Sequence, residues 1–296
     1  MTTHSGRVAQ ARPIRLQRPR RRSISTGDVL TYVVLTIAAI LVLMPLLWMF
    51  STSLRPIADS YKLPPAWLPT QLRLENYAAP FESSVPFLQL FVNSLRITLA
   101  VTLGQLVTCS LAGYAFARLR FPGNNVLFLI LLASLMVPNQ VTIIPIYLSM
   151  VSWGFMNNPL AIILPGLISA FGVFLMRQFF KTLPQELLDA ARVDGAGHVR
   201  VFLQIAVPLS GASLATLAII TFNSVWNSYF LPLIFLKSWD QMTLPQGIAL
   251  LTGYMGSGNP SVVMAAVTMA LLPVLLVFII AQRWIIEALT RTGIKG

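Results

Sequence analysis

Acidic side chains are scarce in this sequence. Asp and Glu number nine in 296 residues, and charged residues of both signs make up only 10%. A soluble protein carries roughly 25%, so this chain cannot cover a water-facing surface. Residues that carry chemistry are scarcer still. One cysteine, Cys109, excludes an intramolecular disulfide. The two histidines, His4 and His198, belong to no His/Cys/carboxylate cluster that suggests a metal. No nucleophile–base constellation is evident. No Gly-x-x-x-x-Gly-Lys-Ser/Thr stretch occurs, so ATP binding through a P-loop is not expected of this chain.

What fills the chain instead is apolar. Hydrophobic residues are 56% of it and the mean hydropathy is +0.74. They come in long runs, at about 30–52, 89–116, 126–149, 159–180, 209–236 and 262–286. Each approaches or exceeds the ~20 residues that a helix needs to cross the hydrocarbon core. Lipid offers no partner to a bare backbone, so all six are expected to be helical. The fold class is therefore an all-α polytopic membrane protein with six transmembrane helices. Residues 1–27 read as a basic tail holding Arg7, Arg12, Arg15, Arg18, Arg20, Arg21 and Arg22, and residues 28–296 as the six-span domain. The tail precedes an apolar run, which suits a juxtamembrane anchor better than a nucleic-acid-binding arm. The run from Leu30 to Phe50 is too long for a signal-peptide core and has no small-residue cleavage site after it.

Lysine and arginine set the orientation. With the N-terminus in the cytoplasm, the inside receives the tail, Arg118, Arg120, Arg177, Lys181, Arg192, Arg200, Arg283, Arg291 and Lys295. The outside receives Arg55, Lys62, Arg73 and Lys237. The excess places both termini inside. The longest internal connection is then 181–208. In it Thr182 is expected to cap a helix with Gln185 at the capping-box position, and Glu186 suits the positive end. Gly195 and Gly197 are expected to end that helix. A second short helix should run from about His198 to Ala206 and stop at Pro208. Leu183, Leu187, Ala190 and Asp194 follow helical spacing, while Glu186 and Asp189 can project toward a partner. Such a small, acid-bearing, partly apolar knob suits docking in a groove.

Asp189-Ala190-Ala191, Asp194-Gly195-Ala196, Ile205 and Pro208 together resemble the EAA loop of ABC importer permeases. The usual glutamate is Asp189 here, which keeps the charge and shortens the side chain by one methylene. Asn93-Ser94, Gly113-Tyr-Ala-Phe-Ala-Arg-Leu-Arg-Phe-Pro-Gly123, Met136-Val-Pro-Asn-Gln140 and Trp226-Asn-Ser-Tyr-Phe-Leu-Pro-Leu233 are similar to the G-type permease of maltose-type carbohydrate importers. The resemblance implies a core importer domain at about 89–287 in the inner membrane of a prokaryote. It implies a subunit that is not itself an enzyme and works with a second homologous permease. Two ATP-binding subunits would hold ATP and Mg, and an extracytoplasmic binding protein would deliver a sugar or oligosaccharide. It implies an ATPase-coupling role for Glu186, Asp189, Ala190, Ala191, Asp194, Gly195 and Pro208. The outer loop with Gly253, Tyr254, Gly256 and Gly258 would contact the binding protein.

Polar residues inside spans are costly and often functional. Asn139 and Gln140 follow Pro138, where a kink can open toward a cavity. Asn223 and Asn227 are four apart and share a helix face. Asn139, Asn223 and Asn227 either line a translocation path or serve as interhelical hydrogen-bond partners. A permease for glycerol phosphate or another small solute is an alternative. An integral membrane enzyme is a third reading, from a different class.

Overall fold

The computed structural model describes residues 26–62, 67–253, 256 and 258–292. The chain divides into two compact units, 1–47 and 48–296. Most of helix α1 (Thr26–Ser53) lies in the first, and its last turns, from Trp48, lie in the second. Asp28 in the first turn of α1 suits the positive helix end. Among the described residues there is no strand.

The second unit is built around α2 (Phe87–Arg118). In chain order follow α3 (Asn124–Ser134), α4 (Asn139–Ser152), α5 (Leu160–Gly166), α6 (Ala170–Thr182), α7 (Gln185–Val193) and α8 (His198–Leu209). Then come α9 (Gly211–Trp226), α10 (Phe230–Phe235), α11 (Leu244–Leu251) and α12 (Pro260–Thr292), and short turns of helix at Ile57–Ser60, Leu74–Tyr77 and Ala79–Glu82 precede α2. Four segments of the described chain are long and apolar enough to cross a bilayer: Gly27–Ser53, Phe87–Arg118, Leu160–Thr182 and Pro260–Trp284.

The two other expected spans are helical but broken. The run at 126–149 is α3 and α4, interrupted at 135–138. The kink expected at Pro138 is there, because the ring disfavours helical geometry at the residue before it and offers no N–H. The run at 209–236 is α9 and α10, with the break at Asn227-Ser228-Tyr229. At the start of α9 the chain bends by 76° away from α8.

Helix α2 packs most extensively on α6, then on α9. Small residues allow that approach. A Cβ on Gly113 would sit 2.7 Å from Met176 Cβ and 2.9 Å from the Arg177 backbone nitrogen. A Cβ on Gly172 would sit 2.7 Å from Cys109 Sγ. Side chains of α2 then satisfy backbone carbonyls freed between α5 and α6. Gln105 Nε2 donates to Gly166 O at 2.8 Å, Thr108 Oγ1 to Leu167 O, and Cys109 Sγ to Ser169 O at 3.6 Å. Thr221 of α9 donates to Gln105 Oε1 at 2.9 Å, so one side chain ties three helices.

At the other end of α2, Asn93 Nδ2 donates to Asp240 O and Met242 O at 2.8 and 2.9 Å. Ser94 Oγ accepts from Leu244 N at 2.7 Å, where Thr243 and Gln246 form a capping box for α11. Polar side chains tie together the described residues that follow α1. Asp59 accepts from Lys62 Nζ at 2.7 Å and from Thr70 N at 3.1 Å. Those bonds, that of Lys62 foremost, hold the Asp59 carboxyl down at about 2. Asn76 Nδ2 donates to Ser53 O and Arg55 O, both at 2.9 Å.

Gly113→Ala is expected to lower the thermal midpoint of the detergent-solubilised protein by several degrees, since overpacking against backbone costs about 1–3 kcal/mol. Gly197→Ala, where nothing lies within 4 Å of the new methyl group, should leave the midpoint unchanged. Equal midpoints for the two variants in a fluorescence melt would refute the close α2–α6 contact.

Candidate functional site

The connection from Leu183 to Ser210 is an outgrowth packed on the ends of α2 and α6. Its inward face is apolar: Leu183, Leu188, Val201, Phe202 and Ala206 are buried in one cluster with Tyr114, Met176 and Phe180. Tyr114 packs edge-on against Phe180, with ring centroids 5.6 Å apart, and meets Phe202 at 5.1 Å.

Arg118, the last residue of α2, pins the entry. Its Nε donates to Phe180 O at 2.8 Å, and its terminal nitrogens reach Lys181 O, Leu183 O and Gln185 Oε1. Gln185 Nε2 in turn donates to Asp189 Oδ1 at 2.9 Å, and Arg192 Nη1 donates to the same oxygen at 3.1 Å. A chain of polar contacts thus runs Arg118–Gln185–Asp189–Arg192. The Asp189 carboxylate remains about half exposed, with one oxygen committed to these donors.

Several expectations are corrected here. Thr182 caps nothing: its hydroxyl donates back to Phe179 O at 2.8 Å, and the N-cap of α7 is Pro184, without a side-chain bond. The preceding helix ends at Thr182, so that hydroxyl finds a carbonyl of its own helix first. Gln185 serves Arg118 and Asp189 instead of a capping box. Leu183 precedes α7 and belongs to the buried cluster, so it does not continue the line of Leu187, Ala190 and Asp194.

Gly195 ends α7 as expected. It has φ +81° in a Schellman closure, with Ala196 N donating to Ala191 O at 2.9 Å and Gly195 N to Arg192 O at 3.0 Å. Gly197 has φ −69° and begins α8 rather than ending α7. Pro208 does not stop α8, which runs on to Leu209. A π turn at Phe202–Ala206 precedes it, and the break falls at Ser210.

The outward face carries Glu186, Asp189, Ala190 and Val193, which helical spacing places together. Asp194 and Gly195 follow, both exposed. Val193 is 88% exposed and Val199 71%. Ala191 is partly buried and leans on the core cluster.

The other expected site residues lie elsewhere. Asn223 and Asn227 share a face: Asn227 Nδ2 donates to Asn223 O at 2.8 Å and to Asn223 Oδ1 at 3.0 Å. Both are exposed and bond to each other rather than to another helix. Asn223 also lines a cavity of about 620 Å³ between α9 and α12, with Ser224, Ile220, Val274 and Phe278. The backbone of Asn139 opens α4, and its side chain lies outside the described ones. Gly253 and Gly256 have φ +68° and +78°, a conformation that favours glycine. Gly258 N donates to Thr252 O at 2.8 Å, and Gly258 O accepts from Tyr61 at 3.1 Å. Tyr254 lies outside the described residues.

The sequence profile described as "Binding-protein-dependent transport system inner membrane component" matches residues 109–291. The chain belongs to that family of transporter subunits. The match takes in the whole 183–210 connection and Asn223 and Asn227. The arabinooligosaccharides transport system permease protein AraQ of Halalkalibacterium halodurans is 35% identical over 261 residues, 87% of this chain and 93% of the relative. The sn-glycerol-3-phosphate transport system permease protein UgpE of Yersinia enterocolitica is 34% identical over 270 residues, 88% of this chain and 95% of the relative. In fold, this permease is similar to a chain of a bacterial ABC transporter that imports the acidic polysaccharide alginate. The TM-score is 0.75 at 24% identity, over 90% of this chain and 99% of that one.

Arg118 is the residue that sequence reasoning missed. It stands there as a charge that sets orientation and inside the quoted Gly113–Gly123 stretch, with no structural role assigned to it. The available signal was its place at the last turn of a long helix, where a cation meets free carbonyls. Arg118→Ala should strand the carbonyls of Phe180 and Leu183, at about 1–3 kcal/mol each. Amide hydrogen exchange is expected to rise across Gln185–Val193 and stay unchanged in α9. Unaltered protection of α7 would show that Arg118 does not hold it.

Proposed function

We infer that this permease carries a neutral, hydroxyl-rich solute, a sugar or oligosaccharide, across the inner membrane of a prokaryote. The observation that carries the transporter-subunit part of this reading is the anchored 183–210 connection, which presents acid and exposed valine outward from a packed base. A surface of that kind suits a groove on an ATP-binding partner, and Glu186, Asp189, Ala190, Ala191, Asp194, Gly195 and Pro208 fall in or beside it. Two such partners would bind ATP and Mg, since no P-loop is found in this sequence. A second homologous permease would complete the path.

The lysine and arginine bias supports a cytoplasmic location for both termini, the 1–27 tail and the 183–210 connection. The 28–296 region would then be the permease domain, with its importer core at about 89–287. On the opposite side, Gly253, Gly256 and Gly258, with Tyr254 between them, would meet the extracytoplasmic binding protein. ATP-driven closure of the partners would move α7 and α8, and with them α6 and α2, to exchange inward for outward access.

The exposed polar groups of α9, Asn223, Ser224 and Asn227, are uncharged. They suit hydroxyls, and they favour a neutral substrate over an anionic one. The glycerol-phosphate reading keeps one support of its own, because the UgpE relative, at 34% identity, is nearly as similar as the AraQ relative at 35%.

Asp189→Lys would place a cation between Arg118 and Arg192 and reverse the charge of the outward face. It is expected to abolish substrate-stimulated uptake in membrane vesicles while the protein still inserts; uptake at the unmodified rate would sink the docking role. Asn227→Leu should raise the KM for the transported sugar several-fold if that face meets substrate. Unchanged transport kinetics would instead make the Asn223–Asn227 pair a structural one.

A further inference from the structure

A pocket of about 540 Å³ lies between the turn after α2 and the last turns of α6, on the same side as the 183–210 connection. Its charged lining is Arg120, Arg177 and Lys181, with Phe116, Phe121 and Asn125 beside them. Arg177 is only 8% exposed. Its Nε donates to Phe116 O at 3.3 Å, and its guanidinium lies 3.7 Å over the ring of Phe128. Its two terminal nitrogens make no hydrogen bond among the described residues.

No ion pair among the described residues involves Arg177, Arg120 or Lys181. Buried arginine is rare unless paired, and one near the end of a membrane helix is costly without a counter-charge. Lys181 is one helical turn further along α6, on the same face. The start of α3 also opens here: Asn124 and Asn125 line the pocket, and no side chain caps that end. Asn124 N–H is taken by Phe121 O at 3.3 Å, and the next amides of that helix start favour an anion.

We propose that this pocket binds the phosphodiester headgroup of an anionic phospholipid. The shared chemistry is a singly charged phosphate, and a free phosphate ion would satisfy it equally. The surroundings select the lipid. Phe116 and Phe121 wall the pocket, and α3 leaves it with Val126, Leu129 and Ile130 each more than 60% exposed, a track for an acyl chain. Arg177 supplies the buried charge, and Arg120 and Lys181 close on the phosphate from the aqueous side. The site does not depend on the transported solute or on the docking role of the 183–210 connection.

The test uses the full-length chain, purified with its copurifying subunits and delipidated in detergent. Native mass spectrometry follows titration with phosphatidylglycerol, phosphatidylcholine or inorganic phosphate. The wild type should retain phosphatidylglycerol in preference to phosphatidylcholine, and millimolar phosphate should not displace it. The double variant Arg120→Gln/Lys181→Gln, altered only at exposed positions, should bind phosphatidylglycerol roughly tenfold more weakly. Lys237→Gln, at a cation remote from the pocket, should bind as the wild type does. In unaltered protein, phosphatidylglycerol should also protect Lys181 from reductive methylation.

The proposal is overturned by equal phosphatidylglycerol binding in the double variant, by no preference over phosphatidylcholine, or by absence of Lys181 protection. Displacement by inorganic phosphate would assign the pocket to a free anion. Loss of a copurifying subunit with lipid binding intact would assign it to a protein contact.

Discussion

A backbone carbonyl or amide left without a partner costs several kcal/mol where water cannot reach it. Every break in a membrane helix releases such groups, and this chain breaks its helices repeatedly. The structure depends on α2 to absorb them. Near its start, Asn93 and Ser94 hold the turn that leads into α11. At its middle, Gln105, Thr108 and Cys109 bond the carbonyls between α5 and α6. At its end, Arg118 gathers carbonyls in the last turn of α6 and just after it. Polar side chains recur along an otherwise apolar helix because its neighbours are discontinuous.

Packing reinforces the same arrangement. Gly113 and Gly172 bring α2 and α6 close enough for those short side chains to reach carbonyl oxygens. Thr108 and Cys109 could not bridge a leucine-lined interface at the usual 8–10 Å between helix axes. The small residues therefore do more than save volume: they set the spacing at which hydrogen bonding across the pair is possible. Gln105 extends the network to α9 through Thr221, so the inner parts of three helices share one set of bonds.

Much of this was legible before any coordinates. Composition located the four segments long and apolar enough to cross a bilayer and two broken ones, because a lipid-exposed helix must be apolar whatever its tertiary partners; it did not single out α11. Pro138 announced its break, since a missing N–H acts locally. Gly195 announced the end of α7 for the same reason, and Asn223 and Asn227 their common face. Where the reading failed, the outcome turned on distance in space. Thr182 and Gln185 form a sound local capping signal, but Arg118, 67 residues away in sequence, claims Gln185, and the Thr182 hydroxyl turns back to its own helix. Pro208 looks like a stop, yet a π turn before it lets the helix continue. The cationic pocket was equally invisible, because Arg120, Arg177 and Lys181 meet only after α2 and α6 pack.

The anchoring of the 183–210 connection bears on how force would pass through it under the proposed reading. Leu188 and Phe202 are buried against Tyr114 and Phe180, and Arg118 bonds the strip of chain between α6 and α7. Displacing α7 alone would expose those side chains and strand those carbonyls, at several kcal/mol in sum. Moving α7, α8 and the ends of α2 and α6 together breaks none of these contacts. A partner pulling on the outward face would therefore move a body rather than a loop. At Ser210, which is fully buried, the chain turns by 76° between α8 and α9. Because Leu214 and Leu217 of α9 pack in the same cluster, motion of that body would carry the start of α9 with it and would reach Asn223 and Asn227 as a displacement of α9.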